Sequence, residues 1–315
     1  NLGALPAISV DESGNQIAYN FEKVNAPLEV FTFNFQSHKL SALSKANDVA
    51  LAKLDLARPE EFWTVSRGKN IRSVLLKPAH FDPNKKYPML VSIYGGPSAG
   101  TVMDSWSNPA YKENLAKDGL IQVAFDHRAS GHFGKEGVNY MYRNLGYWEM
   151  TDYMTMAKWF IENGHADPTK IAITGFSYGG YMSCYALTFG SSVFTHAMAG
   201  GSVTSWELYD SHYTERFMDT PKENPEGYKS GSVLTHVKNF KGVLQLVHGT
   251  MDDNVHMQNS IQLLSALQDN GKDIEFMLYP GGRHGWGGAK GKHFVDLKTK
   301  FIYTHLLEKP VPATK

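Results

Sequence analysis

The 315-residue chain holds a single cysteine, Cys184, so no intrachain disulfide can form. That suits a reducing compartment, and also a bacterial periplasm, where proteins without disulfides occur. No uninterrupted apolar stretch approaches the ~18 residues that a membrane span requires. Neither sign of charge dominates. The 31 basic residues face 31 acidic ones, so no net field draws the chain to nucleic acid or to an anionic membrane. Basic runs and basic patches interleaved with aromatics are missing as well, and no nucleic-acid partner is expected. There is no Asn-x-Ser/Thr sequon, which argues against a eukaryotic glycoprotein. There is no internal repeat and no low-complexity tract. The chain starts at Asn1 and shows no signal peptide. The expectation is a processed or truncated piece, so the missing leader says little about its address.

What is present falls into two sections. Residues 7–57 alternate apolar and polar side chains around Asp, Gly and Asn turns, most plainly in VFTFNF at 30–35. This reads as a short antiparallel β segment. A few such strands alone are marginal, so the segment needs a neighbour. From about residue 70 onward, compact apolar runs alternate with amphipathic ones. Strands are predicted over 71–76, 89–94, 120–125, 170–174, 194–199, 242–247 and 274–279. Helices are predicted over 110–117, 148–163, 180–189, 256–270 and 293–307, with Gly271 as a C-cap after Asn270. Such alternation predicts an α/β fold, a mostly parallel sheet covered by helices on both faces. The segment TPKENPEG, 220–227, reads as a turn-rich loop.

Between a predicted strand and a predicted helix stands GFSYGGYM, 175–182. A Gly-x-Ser-x-Gly turn in that setting is the nucleophile elbow of an α/β-hydrolase. The turn is too tight for flanking side chains, and it lifts the Ser177 hydroxyl above the sheet edge at a helix N-terminus. There, free N–H groups favour developing negative charge. The N–H of Tyr178 is the expected first oxyanion donor. A serine needs a base, and the base needs an orienting acid. In this fold the order is Ser, then Asp or Glu, then His. Downstream, VLQLVHGTMDDNV (243–255) runs a strand into a loop with Asp252 and Asp253. Local sequence does not choose between these two aspartates, either of which suits a cap for the helix predicted from His256. Further on, IEFMLYPGGRHG (274–285) ends a strand in a glycine-rich loop that carries His284. His248, Asp252, Asp253 and His256 match no ligand set of known spacing, so neither a metal nor a cofactor is expected. The second oxyanion donor is sought after an earlier strand, and MLVSIYGGP (89–97) supplies one, with Tyr94 closing the strand.

The set GFSYGGYM, YGGP, HGTMDDNVH and RHGW resembles the prolyl oligopeptidase family of serine peptidases. WELYDSHYTERFM, 206–218, is similar to a segment of its dipeptidyl peptidase IV branch. The likeness covers roughly residues 60–310, and the initial strands look like the closing blade of that family's β-propeller. It implies an α/β-hydrolase catalytic domain over 59–315 and a propeller remnant or linker over 1–58. It also implies Ser177 as nucleophile, Asp252 as orienting acid and His284 as base, with Tyr94 beside the Tyr178 N–H in the oxyanion hole. Tyr178, Val203, Trp206, Tyr209, Tyr213 and Val255 match the pocket for the penultimate proline. Asn254 matches the side chain that binds the carbonyl before it. A proline ring is apolar and lacks a donor, so an aromatic box suits it.

In that branch, paired glutamates for the substrate's amino terminus come from the propeller, as does an arginine. Glu60-Glu61 is not that pair, and almost all of the propeller lies outside these residues. The resemblance thus implies a peptide substrate, an N-terminal propeller of the same polypeptide as partner, and a possible homodimer. The implied address is periplasmic, secreted or at the cell surface. Rival readings are an acylaminoacyl peptidase or carboxylesterase on the same fold, and a catalytically silent interaction domain. A nucleotide-binding protein finds little support, since no G-x-G-x-x-G follows an early strand.

Overall fold

Two different apolar patterns build two different sheets. The computed structural model describes residues 7–45, 53, 56–78, 80–106 and 110–312. The period-two segment forms β1 (Ile8–Val10), β2 (Gln16–Lys23), β3 (Ala26–Asn34) and β4 (Lys39–Ala42), antiparallel and in sequential order. Aromatic cross-strand contacts stitch it together, with Tyr19 stacked on Phe31 at 5.8 Å and Phe21 edge-on to Phe31 at 6.4 Å. None of its side chains is fully buried, so the sheet supplies little hydrophobic drive of its own. It is tied to the next section by the Val24 N–H, which donates to Asp104 Oδ1 at 2.8 Å.

The second sheet has eight strands. These are β5 (Glu60–Ser66), β6 (Lys69–Leu76), β7 (Tyr87–Ser92), β8 (Ile121–Phe125), β9 (Ala166–Phe176), β10 (His196–Gly200), β11 (Val243–Gly249) and β12 (Glu275–Tyr279). Their order is β12-β11-β10-β9-β7-β8-β6-β5. β7 to β12 run parallel, while β5 and β6 are antiparallel at one edge. The central strands are continuous apolar runs because both faces are covered. Met89, Val91, Ile171, Ala172 and Ile173 have no exposed surface. The chain leaves β7 for β8 on one side and crosses to β9 on the other. The order therefore reverses between β7 and β9, the place where open α/β sheets collect ligands at strand C-termini.

Eight helices are described: α1 (Ala110–Lys117), α2 (Gly134–Asn139), α3 (Tyr147–Glu162), α4 (Tyr178–Thr188), α5 (Ser211–Met218), α6 (Pro225–Gly231), α7 (Gln258–Asp269) and α8 (Gly288–Phe301). Every residue of α4 is buried, as expected of a helix that is apolar all round. Two expectations are corrected. α8 starts five residues before 293 and its last turns are a π-helix, Ile302–Leu307. Its first turn is exposed and so carries no apolar period. Within 220–227, α6 begins at Pro225, with the Asn224 side chain accepting from the Gly227 N–H at 3.1 Å. The Asn-Pro pair is an N-cap and N1, not only a turn.

One buried carboxylate joins α3 to α4. Glu149 Oε1 accepts from the Gly146 N–H at 2.8 Å and from the Tyr178 hydroxyl at 2.6 Å. Its Oε2 is buried without a partner. Burial pushes its carboxyl up to about 7, although the Tyr178 and Gly146 bonds oppose the rise. The folded value lies above the ordinary 4.5. This stabilising contribution is therefore complete below the unfolded value and is lost as pH rises through 7. We expect Glu149→Gln to remove a stability loss on the order of 3 kcal/mol between pH 4.5 and 8. Melting curves of both proteins across that range test this. Parallel pH dependences would refute it.

Candidate active site

β9 ends at Phe176, α4 begins at Tyr178, and Ser177 between them has φ 61° and ψ −118°. A non-glycine residue in such a region costs about 1–3 kcal/mol and persists only when its surroundings hold it. Here the Ser177 N–H donates to the Gly200 carbonyl at 2.8 Å, and its carbonyl accepts from the Tyr181 N–H at 3.0 Å. The flanking glycines are steric necessities. A Cβ on Gly175 would stand 2.6 Å from the Gly179 backbone, one on Gly179 would stand 2.8 Å from the Ile93 oxygen, and one on the next residue, Gly180, 2.3 Å from the Gly200 oxygen. Ser177 is half-buried, and its hydroxyl makes no hydrogen bond to any described residue. The Tyr178 N–H, at the first position of α4, has no acceptor within the helix.

The loops after β11 and β12 interlock, which brings two more predicted residues together. The Thr250 N–H donates to the Tyr279 carbonyl at 3.1 Å, and the Met251 N–H to the Gly282 carbonyl at 2.9 Å. Across that junction His284 Nδ1 lies 2.8 Å from Asp252 Oδ2. Asp253 instead is exposed, in a 3.6 Å ion pair with Arg283. Geometry thus separates the two aspartates that local sequence did not. Nor does Asp252 cap a helix. Its Oδ1 accepts from the N–H groups of Asn254 at 3.1 Å and Val255 at 2.9 Å, while α7 starts later, at Gln258. Burial alone would raise the Asp252 carboxyl and is the largest single influence. Hydrogen bonds from His248, His284 and the Val255 N–H outweigh it and hold the group well below the usual carboxylate range. Asp252 is therefore an anion facing the Nδ1 side of His284.

The His284 ring packs against Phe176 with centroids 5.3 Å apart. Its Cε1 would be 3.3 Å from a Cβ on Gly201. The imidazole thus touches the residue before Ser177 and the glycine after Gly200, whose carbonyl holds the Ser177 N–H. No hydrogen bond joins the Ser177 hydroxyl to His284, whose ring is bonded on its Nδ1 side to Asp252.

Beside Ser177 lies a wall of aromatic rings. Tyr178 and Trp206 are 5.3 Å apart, Trp206 stacks on Tyr213 at 6.3 Å, and Tyr209 meets Tyr213 edge-on at 5.4 Å. Trp206 lies in a 3₁₀ turn, and Tyr213 rides on α5, whose start is capped by Asp210 accepting from the Tyr213 N–H at 2.8 Å. Val203 and Val255 are buried in the same core. The exposed Asn254 is oriented by the Tyr209 hydroxyl, which donates to its Oδ1 at 2.9 Å. Tyr94 does not close the strand as expected: β7 stops at Ser92, and Tyr94 stands two residues beyond it in the loop, 40% exposed, its ring 6.2 Å from that of Tyr178. Burial raises the phenols of Tyr178, Tyr209 and Tyr213, so all three remain neutral donors.

Sequence reading missed several supports of this site. Glu149 holds the Tyr178 phenol. His248, fully buried, lies with Nε2 2.8 Å from the Val255 carbonyl and 3.3 Å from Asp252 Oδ2. Phe176 backs the imidazole. Only Glu149, three residues after Gly146, carried a partial local signal: its carboxylate accepts from the N-cap N–H, half of a capping box that glycine cannot complete.

Comparison with known proteins bears on the family and the fold. The Prolyl oligopeptidase family model matches residues 106–309. Prolyl endopeptidase FAP of Bos taurus is 39% identical over 231 residues, 72% of this chain and 30% of that protein. Dipeptidyl peptidase 4 of Sus scrofa is 39% identical over 236 residues, 74% of this chain and again 30% of that protein. The chain therefore spans about a third of the length of these curated relatives. Among solved structures, dipeptidyl peptidase 4 of Porphyromonas gingivalis superposes with a TM-score of 0.87 at 30% identity, covering 95% of this chain and 43% of that one. A putative dipeptidyl aminopeptidase IV from Bacteroides ovatus gives 0.88 at 27% identity, with the same coverage. With its elbow, its Asp–His pair and its switch-point sheet, the chain belongs to the prolyl oligopeptidase family and has the α/β-hydrolase fold.

Proposed function

We propose that the chain is the catalytic part of a serine exopeptidase that cleaves after a penultimate proline. The observation that carries the reading is the 2.8 Å Asp252–His284 bond, with the strained Ser177 elbow and the aromatic rings of Tyr178, Trp206 and Tyr213 beside it. His284 Nε2 takes the Ser177 proton as the hydroxyl oxygen attacks the carbonyl carbon after proline. The resulting oxyanion accepts from the Tyr178 N–H and the Tyr94 hydroxyl. Collapse breaks the C–N bond, and His284 returns the proton to the leaving amine. Water, deprotonated by the same imidazole, then attacks the acyl-enzyme and releases the carboxylate and the free serine. Asp252 keeps the imidazole in the required tautomer and stabilises its charged form.

Tyr178, Val203, Trp206, Tyr209, Tyr213 and Val255 form the proline pocket in this reading, and Asn254 binds the carbonyl before it. Because the relatives are some three times longer, we assign recognition of the substrate's amino terminus to a propeller of the same polypeptide. Residues 1–58 are its remnant or linker, and 59–315 the catalytic domain. A homodimer and an address outside the cytoplasm follow from the same resemblance. Among the described residues no helix is long and apolar enough to cross a membrane.

Ser177→Ala is expected to abolish covalent labelling by a fluorophosphonate probe, and persistent labelling in that variant would refute the assignment. Asp252→Asn should lower kcat by about 10⁴-fold with the fold intact. In the intact polypeptide that carries these residues, a glycyl-prolyl amide should be cleaved in preference to acetyl-alanyl amides and short-chain esters. Preference for the acetylated substrate would favour an acylaminoacyl peptidase instead.

A further inference from the structure

The Tyr94 side chain has no polar anchor of its own, only ring packing 6.2 Å from Tyr178. Its hydroxyl makes no hydrogen bond to a described residue, and its ring lies over Gly96, where a Cβ would come within 2.7 Å of Cε1. Where the hydroxyl stands is therefore decided by the backbone. That backbone is a loop with unusual torsions, Gly95 at φ 90° and Ser98 at φ 56°. It is held from outside. The Tyr94 N–H donates to Thr101 Oγ1 at 3.0 Å. The Thr101 N–H donates in turn to Asp126 Oδ1 at 2.6 Å, and the Val102 N–H approaches both Asp126 oxygens at 3.3 Å. Asp126 follows β8 directly and is 1% exposed. Its other oxygen lies 2.6 Å from Nε2 of His132, a partly exposed side chain. The Ser98 N–H donates to the Ala129 carbonyl at 2.8 Å, a second tie between the same two loops.

We propose that Thr101 and Asp126 are positioning residues for Tyr94, a clamp closed from outside by His132 that sets where the phenol hydroxyl meets the oxyanion. The proposal rests on the serine-peptidase reading. The clamp links the C-terminal ends of β7 and β8. A buried carboxylate that gives its oxygens to one loop and one imidazole is costly unless all its bonds are made. Losing the Thr101 hydroxyl leaves the Tyr94 N–H without that acceptor and lets the turn relax. A misplacement of about 1 Å in such a group costs up to about 10²-fold in rate.

The test is the rate of fluorophosphonate labelling of Ser177 in this chain, since the phosphonyl oxygen also occupies the oxyanion site. Thr101→Val, which keeps the shape, should label about 10–100-fold more slowly. Thr101→Ser, which keeps the hydroxyl, should recover at least about half of the rate. Tyr94→Phe should label about 10²–10³-fold more slowly. In the Tyr94→Phe background, Thr101→Val should change the rate by less than about twofold, because residues acting through one group are not additive. A purely structural role would instead lower the rate equally in both backgrounds and would leave Thr101→Ser impaired if the loop had lost its packing. Wild-type labelling in Thr101→Val, or full additivity with Tyr94→Phe, overturns the clamp. An unchanged rate in Tyr94→Phe overturns it together with the oxyanion role of Tyr94. Labelling that survives Ser177→Ala sinks the peptidase reading itself.

Discussion

The structure turns on the close approach of three backbones at one bend. β9, the start of α4 and the end of β10 pass so near each other that side chains at 175 and 180 would collide with main-chain atoms. That crowding is what holds Ser177 at φ 61°. It also fixes everything measured from that serine: the carbonyl of Gly200, the ring of Phe176 and, through it, the imidazole of His284. A looser bend would release the strain and drop the hydroxyl back toward the sheet.

Three buried carboxylates surround the bend, and their surroundings send them in different directions. Asp252 has two imidazoles and backbone N–H groups about it, enough to outweigh burial and keep it ionised. Asp126 accepts from two N–H groups and an imidazole, yet burial wins and its carboxyl is raised. Glu149 has only an N–H and a phenol, both on one oxygen, and rises the furthest of the latter two into the neutral range. The count and charge of donors against depth of burial decide the outcome. Only the first pairs with the imidazole beside Ser177. The other two act by holding loops and rings in place.

The α/β class, the central strands and the longer helices were legible because buried parallel strands and amphipathic helices carry strong periodic signals. So were Ser177 and His284, each marked by a glycine-rich turn after an apolar run. β5 and α2 were not legible. They are short, and tertiary contacts stabilise them more than any local period. Trp148 and Tyr140, for example, edge-on to each other at 5.3 Å, both lie against the buried Arg128 that pairs with Asp152, while Ser66 at the end of β5 donates to the same carboxylate at 2.6 Å. No pattern within ten residues announces a bond between positions 66 and 152.

By itself the sequence determined the layer architecture, the elbow and the order of serine, acid and histidine, because those follow from steric limits and periodicities within a few neighbouring residues. Neighbouring residues did not choose between the two aspartates; the family resemblance implied Asp252, and only the tertiary structure supplies the physical reason that it is the one facing the histidine. Asp252 and Asp253 are adjacent and chemically identical, and what separates them is the interlocking of two loops that lie thirty residues apart in the chain. The same holds for the loop behind Tyr94, whose hydrogen-bond partner Asp126 reaches it across neighbouring strands of the sheet. Long-range hydrogen bonds depend on how strands are ordered and twisted, and that ordering is a property of the whole fold.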